Sequence, residues 1–288
     1  MTSTPEWLKF VLSLLSSSSS ECLACGNQGK GSSLSPALCV KCAVLIPWIK
    51  SPRCPKCGRH VGCPDCSRGG EPSPLLCNRS AVAYNSVMRE WLGQYKYRGN
   101  ERYAPILGLM LEKAYQMLKV QHEDVVYQNT FIRPRSAFPF RRSPSIVSWK
   151  ADLLVPVPVS EPRLIERGFN QAERLAAELS WRTGIPLLPL LVRTHHTDKQ
   201  SFKGRAERLT NMKHAFGPNS SISEDYFNWL MGITAFHDTN YPRPVRIIIV
   251  DDIYTTGSTI RACAESVRQM TEACGFRSDI YSLTWARS

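Results

Sequence analysis

Eight of the eleven cysteines in this chain form four Cys-x2-Cys pairs: Cys22/Cys25, Cys39/Cys42, Cys54/Cys57 and Cys63/Cys66. A two-residue gap curls the backbone so that both sulfurs face one point, and two such knuckles complete a tetrahedral four-sulfur site. Gly26 and Gly58 directly follow two of the pairs, where a tight turn brings backbone amides toward the sulfurs. Four knuckles predict two Zn²⁺ ions. The simplest assignment gives one ion to Cys22/Cys25/Cys39/Cys42 and one to Cys54/Cys57/Cys63/Cys66. Spacing alone leaves a crossed pairing open, because only five residues separate the last two pairs. Disulfides are disfavoured: the N-terminal apolar run 7–15 has no basic segment before it and is about half the length of a membrane-spanning helix. That run predicts no membrane span, and the reading is a reduced, cytoplasmic protein. Cys77, Cys263 and Cys274 fall outside the pairs and are read as structural.

The cysteines occupy one end of a chain whose remainder looks ordinary. The 288 residues are 43% hydrophobic, enough for a packed core, and carry a formal charge of +12. That charge is uneven: residues 1–78 hold +4, residues 79–150 hold +7 and residues 151–288 only +1. A polyanionic partner is therefore expected on the first half. Composition divides the chain into four segments. Residues 1–20 combine an amphipathic helix (Trp7, Leu8, Val11, Leu12, Leu15) with a Ser16–Ser20 hinge. Residues 21–78 are the cysteine-rich unit, poor in apolar residues, so metal would supply most of its folding energy. Residues 79–150 form a linking region: a strand at 80–84, helices at 88–97 and 105–120, and an exposed basic insertion at 121–150. Residues 151–288 alternate strand and helix. Strands are expected at 152–159, 185–191, 246–250 and 276–284, and helices at 167–182 and 258–273. A helix or lid is expected at 204–214 and a polar loop at 217–243. Alternation of this kind predicts an α/β domain with a parallel sheet.

The most informative stretch is 246–259, Arg-Ile-Ile-Ile-Val-Asp-Asp-Ile-Tyr-Thr-Thr-Gly-Ser-Thr. A β-branched strand ends in two adjacent carboxylates, Asp251 and Asp252, and a Thr/Gly/Ser turn then opens a helix. In a parallel sheet, ligands bind beyond the C-terminal strand ends. The amides of Thr255, Thr256, Gly257, Ser258 and Thr259 would face an anion there, aided by the helix dipole. The carboxylates would repel that anion but suit sugar hydroxyls and a nearby divalent cation. A ribose 5-phosphate unit satisfies both halves. The missing Gly-Lys-Ser/Thr excludes a Walker P-loop.

This stretch resembles the 5-phosphoribosyl-1-pyrophosphate (PRPP) signature of type I phosphoribosyltransferases. Three further segments resemble the ComF family, also called competence protein F or GntX-like. They are 156–163 running into Arg167-Gly-Phe-Asn-Gln171; Arg193-Thr194 with Gln200, Arg205, Arg208, Asn211 and Phe216; and Tyr84 with Lys96-Tyr97-Arg98-Gly99. The resemblance spans about 22–120, 151–216 and 245–285; segments 121–150 and 217–243 read as insertions outside it. It implies a type I phosphoribosyltransferase-like fold, a Rossmann-like parallel sheet with flanking helices, preceded by a double zinc ribbon. It further implies PRPP and Mg²⁺ as ligands, with pyrophosphate in the loop at Pro156 and Val157 and held by Arg163 or Arg167. Arg193, Arg205 and Arg208 would belong to a mobile lid. His195 and His196 have no carboxylate beside them in sequence and are not read as catalytic.

As a family, ComF-like proteins are implicated in natural transformation and DNA uptake, so single-stranded DNA and other competence or DNA-processing proteins are the expected partners. Locally, Lys96, Arg98 and Arg102 interleave with Tyr95, Tyr97 and Tyr103, the cation-and-ring pattern of a single-strand groove. The insertion adds Arg133, Arg135, Arg141 and Arg142 with Phe131, Phe138 and Phe140. Two alternatives stand beside the competence reading. One is a metabolic phosphoribosyltransferase acting on a small nitrogenous acceptor. The other is an adaptor that senses PRPP.

Overall fold

The computed structural model describes residues 20–67, 73–131, 148–194, 215–236 and 243–288. The N-terminal helix and almost all of its serine hinge, the arginines of the insertion, and Gln200, Arg205, Arg208 and Asn211 lie outside these residues. So do His195 and His196.

The cysteine-rich unit holds only short elements: a ribbon of β1 (Ser20–Glu21) and β2 (Gln28–Gly29), and the helices α1 (Val40–Val44) and α2 (Pro64–Ser67). The centre of the molecule is a four-stranded, all-parallel sheet in the order β3 (Leu75–Ala83), β8 (Ser278–Arg287), β7 (Val245–Tyr254), β4 (Leu153–Pro156). Parallel strands need helical crossovers on their faces, so both faces are covered and the central strands are largely buried. The run Ile247-Ile248-Ile249-Val250 is fully buried. Its alternate residues serve two cores. Ile248 and Val250 join Leu283 and Trp285 under helices α3 (Ser86–Tyr97), α4 (Ala104–Phe131) and α6 (Gln171–Thr183). Ile247 and Ile249 join Ile280 under α8 (Ser258–Ala273), through Ile260, Cys263 and Val267. Short helix α5 (Glu161–Arg167) ends at Gly168, whose φ of +77° is the left-handed cap that favours glycine.

Several expectations change. The region 79–150 is more than a link: it supplies most of the edge strand β3, and α4 packs against β3, β8 and α6. The first expected strand is longer at its start, because Leu75–Asn78 pair with Ile280–Ser282 of β8. Helix α4 runs on into the expected insertion as far as Phe131, and the return at Trp149 is buried, stacked on His122 with ring centroids 5.0 Å apart. The polar loop expected at 217–243 contains helix α7 (Glu224–Phe236). Its Phe227, Leu230 and Met231, spaced i, i+3, i+4, are buried in the α8-side core. The strand expected at 185–191 survives as a single parallel bridge of Leu187 to Leu154, and the chain then enters β5 (Leu191–Arg193), antiparallel to β6 (Phe216–Pro218).

The cysteine-rich unit is docked rather than appended. Residues 47–49 run along the free edge of β3: Trp48 bridges Val82, Ile49 donates to the Ala81 carbonyl at 2.9 Å, and Ala83 donates to the Pro47 carbonyl at 2.9 Å. This pairing closes an edge that would otherwise invite intermolecular strand addition. It also sends the two halves of the unit to opposite faces. Cys22, Leu38 and Ile46 pack in the α3/α4-side core, whereas Cys54 and Cys57 pack in the α8-side core. Metal is therefore not the unit's only source of folding energy.

Trp285 is fully buried in the α3/α4-side core and donates its indole N–H to Met110 Sδ at 3.4 Å. Trp285→Ala is expected to destabilise the fold by about 3–5 kcal/mol, read as a lower denaturant midpoint with unchanged slope.

Candidate functional site

The four knuckles assemble sequentially: Cys22, Cys25, Cys39 and Cys42 form one cluster and Cys54, Cys57, Cys63 and Cys66 the other, each with its sulfurs within 4.8 Å of one another. The crossed pairing is excluded. Thiolates held about 2.3 Å from a tetrahedral ion stand roughly 3.8 Å apart. Cys25 and Cys39 Sγ are 3.9 Å apart, and Cys57 and Cys63 Sγ 3.4 Å, far beyond disulfide length. All eleven cysteines are free. The electrostatics also ask for a cation. Burial resists ionisation of Cys22, but amides of Cys39, Cys25 and Ala24 outweigh it and bring that thiol down to about 6. Burial and the neighbouring sulfurs push Cys42 and Cys66 well up. Four uncompensated thiolates cannot share one site, whereas Zn²⁺ accepts all four. The two four-cysteine groups fit two zinc ions.

The second cluster rests on a buried polar patch of the sheet. Asn78 donates from Nδ2 to the Cys57 carbonyl (3.2 Å) and to Ser80 Oγ (2.9 Å), and its Oδ1 accepts from Ser282 Oγ (2.9 Å). Ser80 and Thr284 hydroxyls meet at 2.6 Å. Gly58, at φ +71°, is pressed against the Asn78 backbone, where a Cβ would lie 2.5 Å from the carbonyl oxygen. These contacts hold the knuckle on β3 and β8.

The carboxylate pair and the Thr/Gly/Ser turn lie at the C-terminal end of β7, level with that of β4, since Pro156 pairs with Val250. Asp252 is buried and ion-paired with Lys96 Nζ from the end of α3. Asp251 Oδ1 accepts from the Asp252 amide at 2.8 Å. Burial, with the adjacent Asp252 charge, pushes Asp251 up to about 7, although Lys96 and Arg193 pull the other way. The turn beyond β7 has Gly257 at φ +77°, where a Cβ would overlap the Tyr254 hydroxyl. Gly257 is the N-cap of α8 and caps with no side chain, and Thr256 and Ser258 hydroxyls stand 3.1 Å apart beside it. Thr255 is exposed and Thr259 half-buried. The sixteen-residue helix thus begins without an N-cap side chain, and its Ser258 amide reaches Thr256 Oγ1 at 3.5 Å.

The remaining expected residues distribute around this end. Pro156 and Val157 are buried; Val157 donates to the Val250 carbonyl at 3.0 Å and accepts from Asn170 Nδ2 at 3.2 Å, which fixes the floor of the loop. Asn170 caps α6. Arg163 is exposed on α5. Burial, and after it the charge of Arg163, makes Arg193 easier to deprotonate, while the Asp251 carboxylate steadies its charge. Arg193 sits in β5 over the Phe216 ring rather than in a lid. Arg167 donates to Gln171 Oε1 at 2.8 Å and lies over the Tyr97 ring, 5.4 Å from its centroid.

Lys96 is a correction to the expected nucleic-acid surface: it turns inward to Asp252. Tyr95 and Tyr103 are buried as well, donating to the carbonyls of Gln171 (3.2 Å) and Leu23 (3.0 Å). Arg98, Arg102 and Tyr97 are exposed. Two contributors escape sequence reasoning, the Lys96–Asp252 pair and Arg287. The signal for Arg287 is a guanidinium at the end of a strand that carries no other basic residue.

No protein-family model matches the chain. Curated relatives do. The chain is 28% identical over 249 residues to Competence protein ComFC of Bacillus subtilis, covering 84% of this chain and 82% of that protein. It is 26% identical over 268 residues to Competence protein ComFC of Streptococcus pneumoniae, 88% of this chain and 94% of that one. A third match, 31% over 120 residues, is to Competence protein F of Haemophilus influenzae, 41% of this chain and 45% of the other. The ComF resemblance read from the motifs is borne out, with relatives named for competence and two four-cysteine groups placed for zinc. No helix among the described residues is long and apolar enough to cross a membrane.

Metal analysis of the purified chain should return two zinc equivalents. Cys54→Ser with Cys57→Ser should return one, because the first cluster keeps all four of its ligands; two equivalents in that variant would refute the grouping.

Proposed function

We propose that this chain is a competence protein whose α/β domain binds Mg²⁺ and PRPP and whose adjoining basic surface holds single-stranded DNA. The observation that carries the ligand half is the pairing of Asp251 and Asp252 with a helix N-terminus capped by a glycine, at the end of the sheet where Arg163 and Arg193 also gather. Phosphate meets amides, hydroxyls and guanidinium; ribose hydroxyls and Mg²⁺ meet carboxylates. Lys96 offsets the charge of the acidic pair, which otherwise would oppose an anion. Bound Mg²⁺ would supply charge neutralisation at the pyrophosphate, while the protein's own residues orient the ribose.

For this ligand, Asp251→Asn with Asp252→Asn should weaken Mg·PRPP binding by about a hundredfold or more in titration calorimetry. Asp251 holds a proton up to about 7, and the ligand requires the carboxylate. Affinity should therefore rise as pH climbs through 7 and level off above it, with protons released on binding. Binding that is indifferent to both changes overturns the reading. Pyrophosphate release from PRPP with a small nitrogenous acceptor, and no dependence on DNA, would favour the metabolic transferase instead.

The DNA half is supported by the exposed Tyr97, Arg98 and Arg102, of which Tyr97 lies under Arg167 at the phosphate end. The names of the relatives support the competence role within which such binding would serve. Arg98→Gln with Arg102→Gln should reduce the slope of log affinity against log salt by about two. Lys96→Gln should leave that slope unchanged and weaken Mg·PRPP binding. An unaltered slope in the double variant removes this surface from the footprint.

A further inference from the structure

The second zinc cluster and the phosphate turn are separated by one side chain. Arg287, at the end of β8, is 3% exposed. Its Nε donates to the Cys57 carbonyl at 3.2 Å, and one terminal nitrogen reaches Cys57 Sγ at 3.4 Å. The other terminal nitrogen donates to the carbonyls of Tyr254 and Thr255, both at 3.0 Å, and to that of Ser288. The guanidinium also covers the Tyr254 ring, 4.9 Å from its centroid. That ring in turn underlies Gly257, so closely that no Cβ fits. A continuous path therefore runs from a metal-ligating sulfur, through a rigid planar fork, to the carbonyls and the glycine of the turn 254–257. Arginine suits this place because its five donors sit in fixed geometry. A Zn²⁺ held by four thiolates keeps a net negative charge, which matches a buried guanidinium, and donors to ligating sulfurs hold such sites in shape.

We propose that Arg287 is a positioning residue that couples the second zinc site to the phosphate turn, so that zinc at Cys54/Cys57/Cys63/Cys66 sets the turn's conformation and occupancy of either site strengthens the other. The zinc-to-turn half stands on these contacts alone; the reciprocal half rests on the PRPP reading above. Linkage requires the two effects to be equal in free energy. The first cluster packs in the opposite core and shares none of these contacts, so it serves as the internal control.

The test is hydrogen exchange by mass spectrometry on the full zinc-loaded chain. Cys63→Ser, which disables the second site, should speed exchange at 255–259 by roughly tenfold, within the usual range of coupling between sites. Cys25→Ser, which disables the first, should leave those amides unchanged. Arg287→Lys should keep both zincs while the turn exchanges as in Cys63→Ser. In the wild type, Mg·PRPP should slow exchange at 255–259 and also at 54–58; in Arg287→Lys only the first effect should remain. Equal effects of Cys63→Ser and Cys25→Ser, or no effect of either, overturn the coupling even if the Arg287 variant does not fold. Failure of Mg·PRPP to protect 255–259 in the wild type overturns the ligand reading and leaves the zinc arm to decide the coupling.

Discussion

Residues 47–49 lie against the edge of β3, and the arrangement of the molecule depends on that short antiparallel contact. A parallel sheet leaves its outer strand with unsatisfied amides and carbonyls, which must be paired or covered. Here the cover comes from the middle of the cysteine-rich unit, between its second and third knuckles. Because the segment is bound at the edge, the chain before it falls on one face of the sheet and the chain after it on the other. One four-cysteine cluster thereby joins the α3/α4-side core and the other the α8-side core. The unit is a clasp around the sheet.

The C-terminal end of β7 gathers opposite charges in a nearly neutral domain. Two adjacent carboxylates at the end of a buried strand repel each other, and burial with the neighbouring charge raises Asp251, so the pair needs compensation. Lys96 provides it from α3, a helix outside the 151–288 segment. The guanidinium groups of Arg163 and Arg193 come from two further elements, α5 and β5. The site is thus built from four separate parts of the chain, and its charges are balanced only when all of them are packed together.

Much of this is legible in the sequence. The pair spacing of the cysteines specifies tetrahedral thiolate sites, since two residues between ligands leave few backbone paths. The strand 246–250 and the helix after Gly257 are legible because buried strands and amphipathic helices carry distinct periods. The helix Glu224–Phe236 escapes such a reading because its flanking polar residues mask a short i, i+3, i+4 set, Phe227, Leu230 and Met231. Lys96, Tyr95 and Tyr103 look like one basic aromatic surface, but spacing alone cannot say which way a helix turns. On α3 the same periodicity that exposes Tyr97 buries Tyr95 and aims Lys96 at Asp252.

By itself the sequence determined local chemistry: four knuckles of sulfur, an acidic pair at a strand end, a Thr/Gly/Ser turn that opens a helix. Each depends on neighbours a few residues away, and covalent geometry limits what such neighbours can do. Only the tertiary structure decided which knuckles cluster together, which cation pairs with Asp252, and that Arg287 joins Cys57 to the turn 254–257. Those contacts bridge up to 230 positions in the chain, and nothing but the packing of the sheet brings such residues within hydrogen-bond reach.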